Sequence, residues 1–182
     1  MATKLNKNWT THMITLIKVI QMSKGDVIEL GGGPFSTPLL HWLCKEYGRK
    51  LVTYDNDPFF YKMEKQFQSK DHSIKLIKDW NEVDTKKHYG MVFIDQHPVT
   101  SRSEMAIKLK DSADYIVMHD TEKDHQSEYN WDSVWPHFKY IYHWTECRPW
   151  TSVVSNVKNL RNGAIKPNVL HKGNLAFIST KL

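Results

Sequence analysis

Five short apolar runs alternate with helix-like segments between residues 24 and 120, and this alternation limits the fold more than any other feature. The runs begin near residues 26, 51, 74, 90 and 114. Neighbouring parallel strands need a crossover connection of about this length, whereas antiparallel neighbours need only a short turn. The pattern therefore predicts an α/β fold with a mostly parallel sheet and helices on both faces.

The two ends of the chain add further elements to this prediction. Residues 138–144 alternate with a period of two and residues 150–155 are rich in β-branched side chains, so they predict an antiparallel hairpin that brings the sheet to seven strands. Residues 175–178 predict one more short strand. An opening helix, which packs on the sheet or closes over the site, is predicted by an apolar stripe at helical spacing: Trp9, Met13, Leu16, Ile17 and Ile20.

Length and composition indicate one soluble domain. The 182 residues fit a single core, which we divide into an N-terminal helix or lid (1–23), a core (24–157) and a basic C-terminal extension (158–182). No apolar run approaches the ~20 residues that a membrane-spanning helix needs. The start of the chain lacks a secretory pattern, and two cysteines are too few for a disulfide scaffold, so we expect a cytoplasmic protein without a membrane partner.

The positive charge lies at the ends of the chain. The net charge is +5, yet residues 25–155 carry 16 basic and 20 acidic side chains, a net charge of −4. Basic ends can attract nucleic acid, but scattered lysines more commonly solvate a surface. We favour the second interpretation, which makes nucleic acid a less favoured partner than a small molecule.

A glycine-rich loop follows the first apolar run. The sequence Glu29-Leu30-Gly31-Gly32-Gly33 ends the predicted strand, and Asp55 ends the next one about twenty residues later. Glycines let a ligand approach the backbone, and an acid at this distance can accept both ribose hydroxyls of an adenosine ligand. The loop lacks the Gly-Lys-Ser/Thr of a phosphate-binding loop and the third glycine of the dinucleotide fingerprint. An adenosine-ligand site is therefore predicted here.

These motifs resemble those of class I S-adenosylmethionine-dependent methyltransferases across residues 24–157, nearest the small-molecule and sugar O-methyltransferase branch. The resemblance implies a Rossmann-like fold, S-adenosylmethionine as cofactor and methyl transfer to a hydroxyl group of a small molecule or carbohydrate. It also assigns the adenine contact to the segment after the third strand and the methionine contact to the end of the fourth. The implied cofactor-binding residues are Glu29, Gly31, Gly32, Gly33, Ser36, Asp55, Asn56, Asp79, Trp80 and Asp95.

Acidic and imidazole side chains follow the fourth and fifth predicted strands. Asp95 ends the fourth, and His119 and Asp120 end the fifth, so all three are predicted to meet at the edge that carries the glycine loop. We interpret them as the catalytic group. Asp95 and Asp120 would hold Mg²⁺, as in related O-methyltransferases, or the group would act as a base on the acceptor hydroxyl. The presence of His119, where metal-using relatives more often have an acid or amide, keeps both versions open.

Three functions remain open at this stage. A small-molecule O-methyltransferase fits the motifs best, while a nucleic-acid methyltransferase and a non-catalytic binding module with this fold are the alternatives. Residues 129–150 are rich in aromatic side chains and predict either an acceptor pocket or packing, including packing in a homo-oligomer. The best pocket candidates lie off the strand stripe and are Trp131, Trp135 and Trp150.

Overall fold

The computed structural model describes residues 7–160. The strand predicted over residues 175–178 and most of the predicted basic extension lie outside this range. Among the described residues, no helix combines the length and apolar character needed to cross a bilayer.

One seven-stranded sheet forms the centre of the molecule. Its strands in chain order are β1 (Val27–Leu30), β2 (Leu51–Asp55), β3 (His72–Leu76), β4 (Tyr89–Ile94), β5 (Ala113–His119), β6 (Tyr140–Trp144) and β7 (Thr151–Ser155). Their spatial order is β3-β2-β1-β4-β5-β7-β6. The pairs among β1 to β5 are parallel, and β7 pairs antiparallel with both β5 and β6. The predicted α/β sheet and C-terminal hairpin are confirmed.

Helices connect the strands as the crossover rule requires. The α-helices are α1 (Met13–Met22), α2 (Ser36–Glu46), α3 (Pro58–Glu64), α4 (Ser101–Lys108) and α5 (Gln126–Tyr129). The 3-10 helices are Lys7–Thr10, Lys65–Phe67, Trp80–Glu82, Lys123–His125, Trp131–Ser133 and Trp135–His137. Asp57 caps α3 by accepting a hydrogen bond from the Phe59 amide at 2.8 Å, and Gly48, with φ of +61°, follows the end of α2.

The sheet separates two apolar cores, because successive strand residues point to opposite faces. One core joins Ile28, Val92 and Ile116 to Met105 and Ala106 of α4. The other joins strand residues of the opposite face to α1 and α2, through Leu16, Val19, Ile20, Leu40 and Cys44. Helices therefore cover both faces, as predicted.

The aromatic side chains of residues 129–150 pack mainly into the two cores. Trp131 is fully buried and Trp135 is nearly so, and both belong to the core beside α4. Trp150 is half-buried and does not line the main cavity. The prediction of these tryptophans as pocket residues is therefore wrong for Trp131 and Trp135. Trp131 and Trp135 belong to short 3-10 helices that pack in the core beside the sheet. Their positions therefore do not follow the alternating pattern of a strand.

Candidate functional site

The main cavity opens at the carboxyl edge of the sheet, where the strand order reverses between β1 and β4. Open parallel sheets bind their ligands at such a reversal, because the crossover helices diverge there. The cavity has a volume of about 390 Å³. Its lining comes from six parts of the chain and comprises Asn8, Trp9, His12, Gly31, Gly32, Gly33, Pro34, Phe35, Ser36, Asp55, Asn56, Asp57, Phe60, Asp95, Gln96, His97, Arg102, His119, Asp120 and Pro149.

The glycine loop is packed so closely that side chains are excluded at two positions. Gly31 has φ of +76°, and a Cβ added there would lie 2.5 Å from the Cα atom of Gln96. A Cβ on Gly32 would overlap the carboxyl group of Glu64. Gly33 is freer, since the nearest atom to its added Cβ is 3.8 Å away. The first two glycines are therefore required by the fold, and the loop presents bare backbone to the cavity.

Asp55 joins the end of β2 to this loop. Its Oδ2 accepts a hydrogen bond from the Gly32 amide at 3.0 Å, and its Oδ1 accepts one from the Asp57 amide at 2.7 Å. The side chain is buried but lines the cavity. Each carboxylate oxygen can accept a second hydrogen bond, so Asp55 can hold the loop and still receive hydroxyl groups of a ligand. Asn56 is beside it and donates from Nδ2 to the His97 carbonyl at 3.0 Å.

Two buried acids, Glu29 and Glu64, lie beside the glycine loop, and Glu64 was not predicted as a site residue. Glu29 accepts hydrogen bonds from the Thr37 hydroxyl at 3.0 Å and the Thr53 hydroxyl at 2.6 Å, and burial raises its pKa to about 7. Glu64 is fully buried, and burial together with the carboxylate of Asp55 raises its pKa to about 9. Neither side chain lines the cavity, so both are supports for the loop. Nothing in the spacing of residues around Glu64 distinguishes it from a surface helix residue.

Two of the predicted cofactor residues lie away from the cavity. Asp79 caps the 3-10 helix Trp80–Glu82 by accepting from the Asn81 amide at 2.7 Å. Trp80 is buried in the core beside α4, and its indole nitrogen donates to the His97 carbonyl at 2.9 Å. Neither residue is among the described residues that line the cavity. The structure brings the other predicted residues, apart from Glu29, to the cavity wall.

Asp95 and Asp120 are joined by an arginine that the sequence did not indicate. Arg102 of α4 places its Nη1 atom 2.8 Å from Asp95 Oδ1 and 2.9 Å from Asp120 Oδ2. The guanidinium is buried and also donates to the main-chain carbonyls of Gln96 and Asp95. The hydroxyl of Tyr129 adds a hydrogen bond to Asp120 at 3.2 Å. A fixed cation thus lies between the two carboxylates that were predicted to hold Mg²⁺.

His119 contacts groups on both sides of its ring. Its Nδ1 lies 3.3 Å from Asp95 Oδ1 and 3.5 Å from Asp120 Oδ1, and its Nε2 lies 2.9 Å from the Thr11 hydroxyl. Burial by itself would lower the pKa of His119, but the two carboxylates outweigh burial and raise it. Burial likewise disfavours ionised Asp95, yet Arg102 and His119 hold the pKa of Asp95 well below its usual range.

His12 completes this cluster from the N-terminal side. It precedes α1, is 2% exposed, and its ring centroid is 4.8 Å from that of His119. Within the described residues, neither of its ring nitrogens has a hydrogen-bond partner. Burial and then His119 lower the pKa of His12 to about 3. The sequence had predicted an opening helix that packs on the sheet or closes over the site, but it had not indicated this histidine.

Comparisons with known proteins inform on the fold. No protein-family model matches the chain, and no curated protein is significantly similar to it. Solved structures do match. A SAM-dependent O-methyltransferase from Thermotoga maritima superimposes with a TM-score of 0.62 at 12% identity, covering 87% of this chain and 69% of that one.

Two further matches have different descriptions. Human methyltransferase-like protein 13, in complex with S-adenosylhomocysteine, has a TM-score of 0.59 at 12% identity over 86% of both chains. A putative tRNA (m1A22) methyltransferase from Streptococcus pneumoniae has a TM-score of 0.53 at 10% identity, covering 86% of this chain and 73% of that one. At these identities the likeness concerns the fold: the chain has the Rossmann-like α/β fold of SAM-dependent methyltransferases.

Proposed function

We propose that this protein transfers a methyl group from S-adenosylmethionine to a hydroxyl group of a small molecule or carbohydrate. The observation that carries the proposal is one cavity that combines the bare glycine loop and Asp55 with the polar cluster of Asp95, His119 and Asp120. The fold neighbours support methyl transfer in general, and the structure bound to S-adenosylhomocysteine supports the choice of cofactor.

The glycine loop and Asp55 fit the adenosine half of the cofactor. Gly31 and Gly32 exclude side chains, so a ligand can approach their backbone closely. The carboxylate of Asp55 lines the cavity and can accept hydrogen bonds from ribose hydroxyl groups, and Asn56 and Ser36 line the same cavity. Asp79 and Trp80 do not line this cavity, since the first caps a 3-10 helix and the second is packed in the core.

The polar cluster would receive the acceptor. S-adenosylmethionine supplies a methyl group on a positively charged sulfur, which makes the reaction an in-line displacement that depends mainly on positioning. Arg102 holds Asp95 and Asp120 in fixed positions, so their free oxygens can orient a hydroxyl group. Both ring nitrogens of His119 already have a contact, Nε2 with the Thr11 hydroxyl and Nδ1 with the carboxylate of Asp95. His119 would therefore accept a proton from the acceptor only after one of these contacts breaks.

The same cavity offers contacts that suit a small polar acceptor. Trp9, Asn8 and Pro149 line its outer part and offer one flat aromatic face beside polar groups. This combination suits a sugar or another polar ring. The alternatives are a nucleic-acid methyltransferase and a binding module without activity.

The cofactor placement predicts a specific loss in Asp55→Ala. Removal of the carboxylate takes away charge-assisted hydrogen bonds worth roughly 1.5–3 kcal/mol, so calorimetry should show S-adenosylhomocysteine binding at least ten-fold more weakly. Asp79→Ala is the matched control, since it removes an acid outside the cavity, and its affinity should equal that of the original protein. Equal weakening in both variants, or none in Asp55→Ala, would contradict the placement.

The acceptor class is tested with radiolabelled S-adenosylmethionine and separate pools of sugars, catechols, RNA and peptides. We expect label in a small hydroxyl compound. Label in RNA or peptide would replace the proposed acceptor and keep the methyl transfer. Binding of S-adenosylhomocysteine without transfer to any pool would favour the binding module.

A further inference from the structure

We propose that His12, Asp95 and His119 form a binding site for a divalent first-row transition-metal ion, with Zn²⁺ as its typical occupant. One ligand atom from each of these three residues can be chosen so that all lie within 4.8 Å of one another. The three residues come from separate parts of the chain: the start of α1 and the ends of β4 and β5. The site shares Asp95 and His119 with the proposed acceptor cluster, so it deepens the proposed function.

His12 provides the strongest indication of a ligand. It is 2% exposed, lines the main cavity, and neither ring nitrogen has a hydrogen-bond partner among the described residues. A buried polar group without a partner costs roughly 1–3 kcal/mol, so such groups usually serve a ligand, an ion or a reaction. The helix that follows does not explain the position, because burial of Leu16, Val19 and Ile20 needs no histidine at its start.

The surroundings of His119 are those of a metal ligand. A histidine that binds a metal ordinarily uses its second nitrogen to contact a neighbouring oxygen, which fixes the orientation of the ring. Here Nε2 lies 2.9 Å from the Thr11 hydroxyl, which leaves Nδ1 facing Asp95 Oδ1 at 3.3 Å. Two ligands that are each about 2.1 Å from an ion lie roughly 3–4 Å apart, so the cluster would close by about 1 Å around a metal.

The donor set selects the class of metal. Two imidazole nitrogens and one carboxylate oxygen suit Zn²⁺, Mn²⁺, Fe²⁺ or Co²⁺, whereas Mg²⁺ prefers oxygen ligands and retains its water. The predicted Mg²⁺ position between Asp95 and Asp120 already holds the Arg102 guanidinium. Two carboxylates face one guanidinium, so the cluster has a net charge of −1 when His119 is neutral, as a metal ligand must be, and it can then accept a cation.

Cobalt provides a direct readout, because Co²⁺ bound to nitrogen and oxygen absorbs visible light. Protein stripped with a chelator should bind one equivalent of Co²⁺, and Zn²⁺ should displace it while millimolar Mg²⁺ should not. His12→Ala should weaken Co²⁺ binding at least ten-fold. Thermal melting checks that the variant is folded, and His12→Asn replaces it if it is not.

His41→Ala is the matched control. His41 and His72 form another buried histidine pair, with their Nδ1 atoms 3.0 Å apart, and they lie outside the main cavity. Co²⁺ binding should be unchanged in this variant. The proposal is overturned by absence of Co²⁺ binding, by binding that depends on His41 and not on His12, or by displacement with Mg²⁺.

The same samples separate this proposal from the proposed function. S-adenosylhomocysteine affinity is measured by calorimetry with and without metal. Cofactor binding without metal binding would reject the metal site alone. Metal binding that depends on His12, without cofactor binding, would reject the methyltransferase proposal alone.

Discussion

Glu64 is a fully buried carboxyl group beside Asp55, and its pKa is raised to about 9 by burial and by that neighbour. The folded protein therefore keeps a proton on Glu64 at neutral pH, whereas the unfolded chain releases it above an ordinary pKa of 4.5. Because the folded pKa is the higher one, the free energy of unfolding is greatest below pH 4.5 and falls as the pH rises toward 9.

Glu64→Gln should remove this pH dependence, because the amide has a similar shape and does not ionise. At pH 7.5 we expect the variant to be more stable than the original protein by an amount on the order of 4 kcal/mol, and at pH 4.5 the difference should be small. Urea unfolding at the two pH values measures this. Glu104→Gln, on the exposed face of α4, is the control and should change stability by less than about 0.5 kcal/mol at both. A lower stability of Glu64→Gln at pH 7.5 would show that Glu64 is ionised in the fold.

At the scale of the elements, α1 connects the core to the functional site. Leu16 and Val19 are fully buried against the sheet face formed by β4 and β5, while His12 at its start reaches the cavity. The helix packs on the sheet, which is one of the two predicted roles, and closure over the site stays a prediction. The helix has no side-chain hydrogen bond at its N-cap, so its position depends on this apolar packing.

Leu16→Ala should therefore destabilise the protein by about 2–5 kcal/mol, which is the usual cost of a cavity at a buried leucine. Ile14 lies on the same helix and is 44% exposed, so Ile14→Ala should lower the free energy of unfolding far less. Chemical unfolding of both variants gives the comparison. A similar loss of stability in both variants would mean that the buried residues of α1 do not hold the helix on the sheet.

At the scale of the whole molecule, the charge distribution argues against nucleic-acid binding. The net charge of +5 arises from the ends of the chain, and residues 25–155, which form most of the fold, have a net charge of −4. The main cavity is itself lined by four acidic side chains, Asp55, Asp57, Asp95 and Asp120, against one arginine, Arg102. A polyanion would be repelled by the surface that has to receive it.

We therefore expect no RNA or DNA complex tighter than roughly 1 μM at physiological salt, which is the level of non-specific attraction. Fluorescence anisotropy with labelled oligonucleotides of several sequences measures this, and the same oligonucleotides at low salt serve as the positive control. A tight complex that depends on nucleotide sequence would contradict the expectation and favour the nucleic-acid methyltransferase.

The sequence by itself determined the fold class, the hairpin, the opening helix and the glycine loop with Asp55. These features depend on local patterns: the period of apolar residues, the position of glycine and the residue that ends each strand. Asp95, His119 and Asp120 were predicted for the same reason, because parallel strands bring their ends to one edge.

Only the tertiary structure decided which other side chains meet at that edge. Arg102, Glu64 and His12 belong to three different helices or their ends, and their contacts with Asp120, Asp55 and His119 join residues far apart in the chain. No local pattern marks such residues, since their role depends on how the helices pack on the sheet. The same packing placed Trp131 in the core, where its spacing had predicted a pocket residue, and Asp79 at a helix cap outside the main cavity, where the family resemblance had implied an adenine contact.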